Sequence, residues 1–228
     1  MKGEVVASAK PGAAARRPPA AEALAAPRPQ IDKHVKQPTA HQLAEEEYRK
    51  ATAALHQGRV ADARHEFEAA LQSYPAHQGA RQALLGLLLE AKNTAEAERV
   101  LQEGVKLNPG NVGFIMALAR VQVERQDVAA AIDTLQKGLP HAQGHPEYAA
   151  FLAALLQRQG RHAEAIEQFQ TALRLKPRSG VWLLGLGISL QATNRIAEAQ
   201  EAFQRARATD GLNPELRAFV DQRLRQLQ

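Results

Sequence analysis

The apolar positions of this chain recur with a fixed period. Five alanines stand 34 residues apart, and they are Ala63, Ala97, Ala131, Ala165 and Ala199. Four residues after each alanine comes a large apolar side chain, and these are Phe67, Leu101, Leu135, Phe169 and Phe203. Three positions further on, the residue is always small. Spacings of three and four residues place these positions on one face of a helix. Their agreement at a single period predicts five copies of a helical unit.

Each unit is predicted to be a pair of antiparallel helices. The turns inside the pairs are predicted at Gly58, Asn93, Asp127, Gly160 and Asn194, residue types that accept the left-handed conformation at a helix end. Pro75, Pro109 and Pro177 share one phase of the period and close the second helices. A lone helix pair cannot bury its apolar face, so successive pairs must stack on a shared core.

The repeated small residues are expected where helices cross. A larger side chain at Ala165 would force the pair apart, at a cost of roughly 1–3 kcal/mol. Phe67, Phe169 and Phe203 are expected to fill the wider gaps between pairs. Gly185 and Gly187 lie within a helix, where close packing explains them without a phosphate-binding role.

Both ends of the array carry helix signals. Thr39 and Gln42 form a predicted capping box that starts the first helix just after Pro38. Asn213 and Pro214 begin a last helix over residues 214–228. Its apolar stripe is predicted to cover the last pair as a capping helix, and it consists of Leu216, Phe219, Val220, Leu224 and Leu227.

Charge changes the picture little. The net charge is +5, yet residues 1–38 hold seven Lys and Arg against three Asp and Glu, which leaves +1 for the other 190 residues. A nearly neutral array does not attract phosphate backbones, so nucleic acid is not expected as a partner. The absence of Cys excludes disulfides, Cys-ligated metals and thiol catalysis.

Residues 1–38 are predicted to be a disordered, basic linker rich in Pro and Ala. This segment lacks the apolar core of a secretory signal. No segment approaches the roughly 20 apolar residues that cross a bilayer, so direct membrane insertion of the given sequence is not expected.

The period of 34 and the order Ala, Phe, Pro resemble the tetratricopeptide repeat (TPR) family from about residue 39 to 213. The fifth unit matches best, with Leu183, Leu186, Gly187 and Leu190 in the family's first-helix signature. The resemblance implies an all-α solenoid, a right-handed superhelix, over residues 39–228. The predicted repeats span about 44–77, 78–111, 112–145, 146–179 and 180–213.

The same resemblance implies a concave groove lined by the first helix of each pair. The groove positions are Tyr48, Gln82, Met116, Arg120, Phe151, Leu184 and Ile188. The Lys and Asn set with which chaperone-tail adaptors clamp a C-terminal carboxylate is missing, because Tyr48, Thr52 and Gly86 stand at matching positions. An apolar strip or a partner helix would suit this groove better. Alternatively, its apolar residues pack inside the solenoid.

Other chemistry finds little support. His141 and His145 are four residues apart, but Pro140, Gly144 and Pro146 make the segment a loop, and no third ligand is evident. We therefore expect no metal and no cofactor. No nucleophile, paired carboxylate or Ser, His and Asp set emerges, so the protein is not expected to be an enzyme.

A narrower resemblance concerns residues 147–160 and 180–191, with the sequences EYAAFLAALLQRQG and GVWLLGLGISLQ. They are similar to the TPR region of the bacterial MSHA pilus biogenesis proteins of the MshN type, and the end of the chain is similar too, at Leu216, Phe219, Val220, Arg223 and Leu224. The resemblance implies a scaffold that binds pilus or secretion components during type IV pilus assembly. Family members carry a membrane anchor before a Pro-rich linker. The implied location is the periplasmic side of the inner membrane if an anchor precedes this sequence. Otherwise a cytoplasmic TPR adaptor or co-chaperone without a carboxylate clamp is the alternative.

Overall fold

The structure, a computed structural model, describes residues 37–227 and contains no strand in that range. The helices are α1 (Ala40–His56), α2 (Val60–Ser73), α3 (Gln78–Glu90), α4 (Thr94–Leu107), α5 (Val112–Glu124), α6 (Val128–Gly138), α7 (Pro146–Arg158), α8 (His162–Leu175), α9 (Gly180–Ala192), α10 (Ile196–Arg207) and α11 (Pro214–Gln226). The predicted all-α solenoid of helix pairs is confirmed. The predicted linker lies, up to residue 36, outside the described residues.

The helices repeat the period of the sequence in space. The first residues of α3, α5, α7, α9 and α11 are Gln78, Val112, Pro146, Gly180 and Pro214, each 34 residues after the last. Each helix packs against the next along the chain, and α7 also packs directly against α9. Since α11 starts in the same phase, it occupies the place that the first helix of a further unit would take.

The turn inside each pair has one left-handed residue, always in the same phase. These residues are Gly58, Lys92, Gln126, Gly160 and Asn194, with φ between 56° and 72°. The prediction of Asn93 and Asp127 for this role was wrong. Both have negative φ and are N-caps, whose side-chain oxygens accept hydrogen bonds from the backbone N–H of Glu96 and Ala130. The N-cap residue follows the left-handed residue by one position. Asn and Asp suit both roles, so residue type alone does not show which of the two positions is left-handed.

At two glycines with open space around them, replacement by alanine is expected to change the free energy of unfolding in opposite directions. A side chain at Gly86, inside α3, or at Gly160, in the turn before α8, would meet no atom within 4 Å. We expect Gly86→Ala to raise the free energy of unfolding by up to about 1 kcal/mol, because alanine favours helix. Gly160→Ala should lower it by about 1 kcal/mol, because φ is +72° there. Chemical denaturation of both variants measures the two values, and a shared sign would contradict this assignment.

The small repeat residues lie in the buried interior of the array. Ala63, Ala97, Ala131, Ala165 and Ala199 are fully buried. The phenylalanines Phe67, Phe169 and Phe203 are buried too. A Cβ atom at Gly187 would lie only 2.6 Å from Cε1 of Phe203, and one at Gly185 would overlap the ring of Phe169. The predicted role of these two glycines in close packing agrees with this geometry.

Most of the apolar core belongs to two clusters that meet on α5, and a small third cluster consists of Ala149, Ala150 and Ala172. The first extends from Ala44 on α1 to Val121 on α5, and Phe114 and Leu118 belong to it. The second extends from Ile115 on α5 to Leu224 on α11. Because successive α5 residues face different clusters, this helix joins the two halves of the array.

Two buried polar side chains tie neighbouring units together. The Arg81 guanidinium group, 3% exposed, donates to the carbonyl oxygens of Val100 (2.8 Å) and Pro75 (2.7 Å). Burial lowers the pKa of Arg81. The Tyr148 hydroxyl donates to the carbonyl oxygen of Leu135 at 2.6 Å, and burial raises the pKa of Tyr148 to about 12. Both residues satisfy their polar groups inside the core, as buried polar groups must.

Both predicted ends of the array are visible. Thr39 and Gln42 form a complete capping box at the start of α1, as predicted, with side chain and backbone bonded in both directions. At the other end, Asn213 Oδ1 accepts a hydrogen bond from the Leu216 backbone N–H at 2.8 Å and starts α11. From α11, Val220 and Leu224 are buried in the second core cluster.

Candidate partner-binding surface

The groove residues predicted from the sequence all lie on the first helices of the pairs. We call the surface formed by α1, α3, α5, α7 and α9 the first-helix face. Gln82 and Arg120 are exposed on it, while Leu184 is buried. Four others are half-buried, and they are Tyr48, Met116, Phe151 and Ile188. The predicted residues are therefore neither all free nor all core.

The half-buried members are partly engaged by the core. The ring of Tyr48 lies 5.6 Å from the ring of Phe67 and 5.0 Å from that of His77, centroid to centroid. Met116, Phe151 and Ile188 pack one side against the second core cluster. Only part of each side chain is accessible to a partner. A substitution at one of these positions would therefore affect both the stability of the fold and the contact with a partner.

A pocket of about 410 Å³ opens on the first-helix face between α7 and α9. It is lined by Glu147, Ala150, Phe151, Ala154, Gln157, Phe169, Val181, Trp182, Leu184, Gly185 and Ile188. Three of these, Ala150, Ala154 and Gly185, leave room because their side chains are small or absent. Since Gly185 lacks a Cβ atom, the ring of Phe169 on α8 reaches the pocket from behind.

The pocket is apolar with an exposed wall. Val181 is 51% exposed, so part of its side chain is accessible to a partner. Trp182, the single tryptophan of the chain, stands beside it. A volume of this size falls within the range of pockets that bind ligands, and its lining suits apolar groups.

Gln157 holds the two walls of the pocket together. Its Nε2 atom donates to the carbonyl oxygen of Gly185 and to Oγ of Ser189, both at 2.7 Å. Ser189 is fully buried, so the bond reaches into the packed side of α9. The two bonds connect α7 to α9 beside the opening of the pocket.

Charged groups stand at the edges of the pocket. The Lys176 ammonium group donates to the Glu147 carboxylate, which holds the pKa of that carboxyl below its usual value. Lys176 Nζ also lies 6.0 Å from the centre of the Trp182 ring. At another edge, Cζ of Arg120 lies 6.0 Å from the centre of the Phe151 ring.

Of the residues that line the pocket, Phe151, Leu184 and Ile188 are groove positions predicted from the sequence, whereas Val181 and Trp182 are not. A signal for the rest of the pocket exists in the period itself. Ala150 and Ala154 stand 34 residues before Leu184 and Ile188 and so share their repeat positions. A search for small residues at groove positions would have indicated the gap on α7.

In residues 37–227, no three His, Asp or Glu side chains are grouped so that they could hold a metal ion. His141 ends a short 3-10 turn and His145 directly precedes α7. Within the same range no helix has the length and apolar character needed to span a membrane.

A family model for the tetratricopeptide repeat matches residues 54–107, 88–155 and 156–222. The chain belongs to the tetratricopeptide repeat family. TPR proteins are protein-interaction scaffolds, and their fold is typically non-catalytic. No curated protein matches the sequence significantly.

Solved TPR structures share the fold. YrrB, described as a TPR protein with an unusual peptide-binding site, is 16% identical with a TM-score of 0.65, covering 78% of this chain and 92% of YrrB. A TPR protein from Parabacteroides merdae ATCC 43184 is 18% identical with a TM-score of 0.64, covering 81% of this chain and 75% of that one. MamA from Desulfovibrio magneticus RS-1 is 16% identical with a TM-score of 0.57, covering 72% and 92%. At these identities the similarity shows the fold alone.

Proposed function

We propose that this protein is a scaffold that captures partner proteins on its first-helix face, with the pocket between α7 and α9 as the main contact. The observation that carries the proposal is the apolar pocket with the exposed Val181 at its wall. A concave site of this volume with a mostly apolar lining is typical of binding sites. The peptide-binding site named for YrrB supports a peptide or protein segment as the ligand.

We further propose that the captured partners belong to type IV pilus assembly, of the MSHA kind. The support is the resemblance to MshN-type proteins over residues 147–160 and 180–191. These two segments contain all of α7 except Pro146 and all of α9 except Ala192, and the pocket opens between these helices. Part of the resembling sequence therefore lies at the proposed contact. A generic adaptor without a carboxylate clamp is the alternative.

A photo-cross-linking amino acid at Val181 tests both statements in cells that make the protein natively. We expect cross-links to pilus assembly components, identified by mass spectrometry. Cross-links only to chaperones or to unrelated cytoplasmic proteins would overturn the pilus assignment and favour the adaptor. The same amino acid at Gln222, exposed on α11, is the control for random encounters.

Val181→Glu should weaken capture of the cross-linked partner by about tenfold or more, because a charge then replaces apolar contact area. The fold should be unaffected, since Val181 is exposed in the first turn of α9 and acidic residues are favourable there. Ile196→Glu is the matched control, as Ile196 is an exposed aliphatic residue in the first turn of α10. Pull-down yield and thermal melting are the measurements, and equal losses in both variants would contradict the proposed surface.

A further inference from the structure

The charges around the pocket are not balanced. Glu147 is neutralised by Lys176, with which it forms an ion pair. Arg120 is exposed beside Phe151 and forms no ion pair within residues 37–227. The uncompensated charge at the pocket edge is therefore positive. A partner that buries its apolar residues here would gain from a carboxylate placed near Arg120.

The backbone around the pocket offers no strand edge to an extended peptide. Beyond the first turn of α9, whose N–H groups have no partner within the helix, α7 and α9 use their N–H groups within their own helices, and no strand exists in the described part of the chain. An extended segment pressed into an apolar pocket would bury its own N–H and C=O groups without partners. A helical segment satisfies these groups internally and presents only side chains.

The length of the pocket fits a helical occupant. Its lining on α7 runs from Glu147 to Gln157, which corresponds to roughly 15 Å along the helix axis at 1.5 Å per residue. Two turns of a partner helix cover roughly 11 Å. Side chains at positions i, i+4 and i+7 of such a helix would therefore all face this pocket.

Building on the proposed function, we propose that the pocket binds an amphipathic helix of the partner whose apolar face carries large aliphatic or aromatic anchors and whose flank carries acidic residues. The anchors occupy the space left by Ala150 and Ala154, against the Phe169 ring that lies beside Gly185. An acidic side chain on the flank pairs with Arg120. The pocket thus selects for two properties together, apolar anchors and negative charge.

Trp182 provides a direct reading of occupancy, because it is the only tryptophan and it lines the pocket. The probes are three Trp-free synthetic peptides of about 18 residues, long enough to form a helix. One has Leu anchors and Glu flanks, the second has Lys in place of each Glu, and the third has Ala in place of each Leu. We expect the acidic peptide to bind and change Trp182 emission. The basic peptide should bind about tenfold more weakly, and the peptide without anchors roughly 100-fold more weakly.

Two variants make the test specific. Arg120→Glu should reverse the preference, so that the basic peptide binds better than the acidic one. Ala154→Leu, at an exposed pocket position, should fill the space and weaken binding of the acidic peptide by about tenfold or more. Arg225→Glu on α11 is the control that changes the net charge equally far from the pocket, and it should leave the preference as it was.

Equal binding of all three peptides, binding of none, or a preference that Arg120→Glu leaves unchanged would overturn this inference. These outcomes are separate from the fate of the proposed function. If Val181 still cross-links to a native partner while Arg120→Glu and Ala154→Leu have no effect on its capture, the scaffold stands and the acidic-helix specificity fails. If Val181 gives no cross-link above the Gln222 control, the proposed surface itself fails.

Discussion

Gly187→Leu is expected to lower the free energy of unfolding by about 3 kcal/mol, the upper end of the usual cost of overpacking. A Cβ atom at this position would lie 2.6 Å from Cε1 and 2.7 Å from Cδ1 of Phe203, and Phe203 is fully buried. The ring has nowhere to move without disturbing α9 or α10. Chemical denaturation followed by circular dichroism measures the loss. Gly86→Leu, at an open position of α3, is the matched control and should cost far less.

A double mutant shows whether this clash is the cause. Phe203→Ala alone should cost about 4 kcal/mol through the cavity it leaves. In Gly187→Leu/Phe203→Ala, the leucine enters that cavity, so the combined loss should be well below the sum of the single losses. Strictly additive losses would mean that Gly187 and Phe203 act independently, and the packing account would be wrong.

Val220→Asp is expected to detach α11 from the array, with a loss of about 3–4 kcal/mol. Val220 is 0% exposed in the second core cluster, and a carboxylate there would be buried without a partner. Hydrogen exchange should show lost protection first in α11 and then in α10. Gln222→Asp adds the same charge at an exposed position of α11 and should leave both helices protected.

Removal of residues 214–228 tests the same helix more severely. The apolar residues of α10 that α11 covers would face water, so aggregation or fraying of the fifth pair is expected. A shortened protein that stays monomeric with unchanged melting would show that α11 does not act as a cap.

The fold could be predicted because its information is periodic. A pattern such as Ala199, Phe203 and Ala206 recurs in every unit, so chance errors in one unit are corrected by the others. The turns show where this advantage ends. Lys92 and Gln126 are poor candidates for a left-handed conformation by residue type. Their neighbours Asn93 and Asp127 are good ones, although their role in the structure is to cap the next helix. Only the phase of Gly58 and Gly160 identifies the correct positions.

The candidate site was harder to predict because it depends on positions with small side chains or none. The pocket exists because Ala150, Ala154 and Gly185 have small side chains or none. Large or charged side chains are easily recognised as candidate binding residues in a sequence, whereas positions of this kind are not. Phe169 was assigned to the gap between pairs, and its ring does fill that gap. That the same ring also reaches the first-helix face follows only from the absence of a Cβ atom at Gly185. Such features require the backbone positions of three helices at once.

Because the two larger core clusters meet on α5, the two halves of the array can fold at different times during synthesis. The first cluster uses only residues up to Val121, so it is complete when α5 has left the ribosome. The roughly 100 residues that follow take about 5–20 s to synthesise at typical rates. During that interval the N-terminal half can already be compact, while Ile115 and Ala119 on the far side of α5 wait for their partners. The nascent chain would then expose a short apolar edge on α5, which chaperones or the arriving α6 must cover.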